Sequence, residues 1–118
     1  MKQKSPKWFE DTRALAAFIL QVSAAKTLQE YQSHPLLRAA IEPHFEIIGE
    51  AMNRLVHYDP EVASRIGDYP RIIAFRNLLI HGYDLIDQAQ VWKVVREQLP
   101  ILLRQVDSIL QEIEDKNR

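Results

Sequence analysis

Arg76, Asn77 and His81 stand within six residues of one another in a stretch running from Arg71 to Asp84. An imidazole moves protons near neutral pH. A guanidinium holds a phosphate and the negative charge that builds on it. A carboxamide can orient either group. The chain has no Cys, which excludes thiol nucleophiles, Cys-ligated zinc, Fe–S clusters and a disulfide scaffold. Chemistry built on Arg, His, Asn and Tyr without a metal cage fits RNA transesterification. There the 2′-hydroxyl is the nucleophile, His81 moves protons around it and the leaving oxygen, and Arg76 holds the phosphate. DNA lacks that hydroxyl and does not react this way.

The spacing constrains how these groups meet. At about 100° per residue, Arg76 falls inside the apolar arc of Ile72, Ile73, Phe75, Leu79 and Ile80. A guanidinium there is costly unless paired or placed at an interface. Asn77 and His81, four residues apart, share another face with Ala74. Arg76 and His81 lie about 140° apart on an ideal helix, so one copy does not easily bring both onto one atom. Two copies facing across a twofold would merge their sites into one groove. The plainer alternative is an internal salt bridge for Arg76 and a helix-end role for His81, where the macrodipole favours the imidazolium. Tyr83, just past Gly82, is expected to be exposed, and an exposed loop tyrosine is ordinarily inert.

A second set, Arg38, Glu42, Glu46, Glu50 and Arg54, repeats every four residues. It reads as an ion-pair ladder along a solvated helix edge, with Glu50 also a candidate partner for Arg76. The Glu-x-x-His pairs of dimetal bundles do not occur. His34, His44 and His57 have no ligand spacing among themselves and suit surface or cap roles. Neither a metal nor a cofactor is expected.

These residues must be held by helices. Ser5-Pro6 reads as an N-cap with Pro at the first helical position, opening a helix to about Ala25. Thr27 and Glu30 are in capping-box register. Leu37, Ile41, Phe45, Ile48, Met52 and Leu55 stripe a helix from about Pro35 to His57, with Pro43 predicting a kink or a later start. Another turn is expected over Glu61–Ile66. The motif helix should run from near Asp68-Tyr69-Pro70 to His81, with Gly82 in the left-handed position past its end. A last helix from about Asp87 to Asp115 carries the seam Trp92, Val95, Leu99, Leu102, Val106, Ile109 and Ile113, with a bend or restart at Pro100. That seam reads as core, and Trp92 as a core anchor.

The expectation is one all-α domain over 1–118: an antiparallel bundle of four main helices plus short helical turns. The length of 118 residues supports one core. With 15 Lys+Arg against 16 Asp+Glu, the net charge is −1, which argues against general nucleic-acid coating but not against a local phosphate site. No apolar run approaches the roughly 18 residues of a membrane span, and no signal peptide is recognisable. A cytoplasmic location is expected.

The motif Arg76-Asn77-x-x-x-His81-x-Tyr83 resembles the Arg-x4-His-x-Tyr signature of HEPN domains, specifically the HepT-like family. Glu46-Ile47-Ile48-Gly49-Glu50-Ala51 is similar to that family's Ile-Gly-Glu-Ala helix. Val91-Trp92 followed by Leu99-Pro100 resembles the start and the break of its last helix. The resemblance spans roughly residues 37 to 110. It implies an all-α homodimer with the two motifs facing each other, and a metal-independent endoribonuclease toxin. The antitoxin would be a small nucleotidyltransferase of the MNT type that adds AMP to the motif tyrosine. Carried over, Arg76 and His81 are catalytic, Asn77 is supportive and Tyr83 is the modified residue, with Glu50 and Gly82 in supporting positions. The alternative is a HEPN-type binding partner of a nucleotidyltransferase without nuclease activity.

Overall fold

Helix starts in this chain fall where a side chain or a proline deals with the first unpaired N–H groups. The computed structural model describes residues 1–82 and 87–117. Its elements in chain order are α1 (Ser5–Ser23), α2 (Leu28–Ser33), α3 (Pro35–Tyr58), α4 (Pro60–Ala63), α5 (Tyr69–His81), α6 (Gln88–Lys93), a π-helical segment (Val94–Gln98) and α7 (Leu99–Lys116). The described residues contain no strand, so the fold is all-α, as expected. None of their helices is long and apolar enough to cross a membrane.

Thr27 and Glu30 form the expected capping box: the Thr27 hydroxyl accepts from the Glu30 N–H, and the Glu30 carboxylate accepts from the Thr27 N–H. Asp87 opens α6 by accepting from the Ala89 N–H at 2.9 Å. At α1 the expectation is corrected. Lys4 occupies the cap without a side-chain hydrogen bond. The Ser5 hydroxyl instead donates to buried Asp59 at 2.8 Å. Asp59 also accepts from the Lys2 N–H at 2.9 Å and caps α4 through the Val62 N–H. It thereby ties the start of α1 to the α3–α4 corner.

Pro43 lies inside α3, which runs on as one 24-residue helix. Pro43 and Ala39 are both exposed, so the carbonyl that Pro43 leaves unpaired faces the solvated side. Pro100 acts as expected, and the restart takes the form of a widened turn. The Leu99 N–H donates to the Val94 carbonyl, five residues back, and α7 begins there with Pro100 in its first turn.

The helices pack as a row, with α5 against α3, α3 against α1, and α1 against α7. The domain measures 47 × 28 × 19 Å. Phe9, Ala16 and Ile19 of α1 meet Ile41, Phe45, Ile48, Met52 and Leu55 of α3 in the core. The α6–α7 seam is buried from Trp92 through Val95, Leu99, Leu102 and Val106 to Ile109, and Ile113 is half-buried. Trp92 is the expected anchor: it packs against buried Tyr31 at 5.4 Å, and the Arg96 guanidinium lies over its ring at 4.6 Å.

Candidate active site around Arg76

Arg76 is positioned by the crossing of α3 and α5. Gly49 is buried in the middle of α3, and a Cβ there would collide with the Cβ and Cγ of Arg76. The bare glycine therefore lets the α5 backbone approach closely at that residue. The neighbouring position on α3 supplies the countercharge. Arg76 Nη2 donates to Glu50 Oε2 at 2.8 Å, and Arg76 Nη1 donates to Asn77 Oδ1 at 2.8 Å. Glu50 also accepts from Arg54 Nε at 3.0 Å. The Arg76 side chain is 24% exposed and Glu50 37%. Its Nε is buried without a hydrogen-bond partner among the described residues. The guanidinium is thus clamped on one edge by α3 and held by exposed Asn77 on an outer edge.

His81, the last residue of α5, is exposed, one helical turn beyond Asn77. Arg76, Asn77, Glu50 and Arg54 therefore form one connected cluster, and His81 stands apart from it at the helix end. Tyr83 lies outside the described residues. Gly82 corrects the expectation of a left-handed cap: its φ is −116°, and its N–H donates to the Leu78 carbonyl at 2.9 Å. The helix closes with an ordinary backward bond. A Cβ at Gly82 would lie 3.0 Å from Leu78 Cδ1, a tight contact with the end of a flexible side chain.

The four-residue ladder on α3 is also corrected. Only Glu50–Arg54 pairs along the helix. Arg38 donates instead to the carbonyls of Tyr31 and Gln32 at 3.0 and 2.6 Å, closing the end of α2. Glu42 accepts from the Tyr31 hydroxyl at 2.6 Å. Burial and that hydrogen bond to a carboxylate push the Tyr31 phenol well above its ordinary range. His34 Nδ1 meets the Glu30 carbonyl at 2.9 Å, and His57 Nδ1 meets that of Asn53 at 2.8 Å. His44 stacks on Phe18 at 4.5 Å. The described residues hold no group of three or more His, Asp or Glu placed to bind a metal ion.

The family model described as "Ribonuclease HepT-like" matches residues 13–109. The chain belongs to the HepT-like ribonuclease family. The match reaches into α1, beyond the span that the sequence landmarks covered. A protein of Caldanaerobacter subterraneus subsp. tengcongensis named Putative RNase TTE0752 is 28% identical over 109 residues, 92% of this chain and 96% of the relative. Putative RNase MJ1380 of Methanocaldococcus jannaschii is 31% identical over 80 residues, 68% of this chain and 72% of the relative. No solved structure matches the chain. The HepT-like family and these names support a ribonuclease, with RNA as the substrate class. Within this HepT-like chain, the spacing indicated both Arg54 and Arg76 as partners of Glu50, but sequence reasoning passed over Gly49 as the residue that brings α5 close. The signal for Gly49 was present, since a glycine in the interior of a long helix asks for a packing reason.

Proposed function

We propose that this HepT-like protein is the toxin endoribonuclease of a toxin–antitoxin pair, cutting RNA by 2′-hydroxyl transesterification in a groove between two copies. The observation that carries the reading is the clamped Arg76: Glu50 fixes its guanidinium, and the Asn77 edge faces outward, one turn from His81. An incoming phosphate takes the edge that Asn77 holds. The 2′-oxygen attacks phosphorus, the bond to the 5′-oxygen breaks, and a 2′,3′-cyclic phosphate and a 5′-hydroxyl result. The His81 imidazole accepts the 2′ proton and, as the imidazolium, delivers it to the leaving oxygen. Each site takes Arg76 from one copy and His81 from the other.

Support for pairing comes from apolar side chains beside the clamp. Ile47, 51% exposed, precedes Glu50 by three residues on α3. Ile80, 37% exposed, follows Arg76 by four on α5. Apolar residues bordering a charged cluster suit a self-complementary contact. Tyr83, in the segment after His81, is the residue that a nucleotidyltransferase antitoxin would esterify with AMP. The added phosphate and base would exclude RNA by occupancy and repulsion.

The test is incubation of labelled RNA with purified protein in EDTA. Cleavage that disappears in His81→Ala supports the reading. Uncut RNA, or cutting unchanged in the variant, overturns it. If an inactive protein still complexes a neighbouring nucleotidyltransferase, the silent-partner reading takes its place. The antitoxin step is read by intact mass after co-expression, as AMP increments that Tyr83→Phe removes.

A further inference from the structure

A groove of about 700 Å³ is walled by α5 on one side and by α6 and the π-helical segment on the other. From α5 it takes Arg71, Phe75 and Leu78, a single stripe at helical spacing. Ala74, also in the groove, shares a face with Asn77 and His81. The groove therefore borders the face that presents the imidazole. From Arg71 to His81 the helix axis advances about 15 Å, a reach suited to a strand continuing past the cut.

The chemistry of the groove is that of a nucleotide site. Arg71 stands on one wall and Lys93 on the other, both exposed, and neither enters an ion pair among the described residues. The Asp87 carboxylate is already engaged by the Ala89 N–H. Gln90 and Gln98 offer amides of the kind that meet base edges, and Glu97 offers an acceptor for an exocyclic amine. Half-buried Leu78 and Val94 supply apolar surface for a sugar or base, backed by buried Phe75.

We infer that this groove is the subsite for the nucleotides flanking the scissile bond, with Arg71 and Lys93 holding backbone phosphate and the amide side chains meeting bases. The inference rests on the ribonuclease reading above and adds where the single strand runs. Arg71 and Lys93 would act as local phosphate contacts at opposite walls, in a groove that Asp87 and Glu97 also line.

The experiment measures binding of a fluorescent, fully 2′-O-methylated RNA decamer, which has no nucleophilic hydroxyl and is not cut. Arg71→Ala and Lys93→Ala should each weaken binding about tenfold and lower the slope of log affinity against log salt by about one. Arg104→Ala and Lys116→Ala serve as controls for general charge, and thermal melts confirm folding. Groove variants that bind no worse than these controls overturn the inference. In parallel, unmodified RNA is incubated with wild type and His81→Ala. His81-dependent cleavage with unaffected groove variants sinks the groove alone. Weakened binding in the groove variants with no cleavage at all sinks the reaction and leaves the groove standing.

Discussion

Glu50 on α3 holds Arg76 on α5 at 2.8 Å, directly beside the glycine that lets the two helices close. The pair is half-buried, so its contribution exceeds that of a surface ion pair but stays modest. Glu50→Ala and Arg76→Ala should each cost about 1 kcal/mol, and the double variant little more than either single one. A double-mutant cycle in urea reads this coupling. Additive losses would mean that the two side chains do not act as a unit.

Gly49→Ala should be far more damaging than its single methyl suggests. The added Cβ has no room against Arg76 Cβ and Cγ, and α5 must move away from α3. A loss of about 1–3 kcal/mol follows from overpacking of this kind. RNA cleavage should fall with it, because the guanidinium moves with its helix. Gly67→Ala is the comparison: its nearest neighbour would be Gln105 Nε2 at 3.5 Å, an ordinary contact. That variant should be neutral, or more stable by about 0.5 kcal/mol through a stiffer unfolded chain. Equal urea midpoints for the two variants would refute the close-approach account.

These two glycines show what was legible and what was not. Signals carried by neighbours in the chain read directly: the Thr27–Glu30 capping box, the Asp87 start, the interruption before Pro100 and the α6–α7 seam. Signals that depend on a distant partner did not. The spacing of Arg38, Glu42 and Glu46 suggested a ladder, yet the carbonyls at the end of α2 and the buried Tyr31 hydroxyl compete for Arg38 and Glu42 and win. Ser5 looked like a cap because the sequence could not show Asp59 waiting at the α3–α4 corner. Gly82 looked left-handed because that is the commonest use of a glycine past a helix. Here the chain instead leaves α5 at negative φ, with the Gly82 N–H donating to the Leu78 carbonyl. At the site, Arg76 within an apolar arc announced a paired charge. The spacing also offered Glu50 as a partner of both Arg76 and Arg54, and the fold makes both pairs.

Asp59 should make stability depend on acid. Burial alone would raise its carboxyl, but hydrogen bonds from the Lys2 N–H, the Ser5 hydroxyl and the Val62 N–H outweigh this and hold it below the ordinary value. A folded-state value below the unfolded one, about 3.9, means stability that is complete above that pH. It is lost as pH falls through the folded value. Asp59→Asn keeps a capping oxygen but loses the charged acceptor of the Lys2 N–H and the Ser5 hydroxyl, and should cost about 1–2 kcal/mol at pH 7. Urea midpoints of wild type and variant should converge as the pH is lowered below the ordinary carboxylate value of about 3.9. A gap independent of pH would show that the charge contributes nothing.

The geometry of α5 makes a sharper prediction about how two copies share the reaction. Arg76 and His81 project about 140° apart on an ideal helix, so under the proposed two-copy reaction a phosphate seated on Arg76 of one copy would be served by His81 of the other. Arg76→Ala and His81→Ala homodimers each lack one half of both sites and should be inactive, with losses of at least about a hundredfold. In a mixed dimer, one site loses both residues and the other keeps both. Free exchange makes about half the dimers mixed, each with one of two sites intact, so activity should recover to about a quarter of wild type. Cleavage of a labelled RNA before and after mixing measures this. Two variants that stay inactive together, despite subunit exchange confirmed by native mass spectrometry, would mean that each copy works alone or that the groove needs all four side chains.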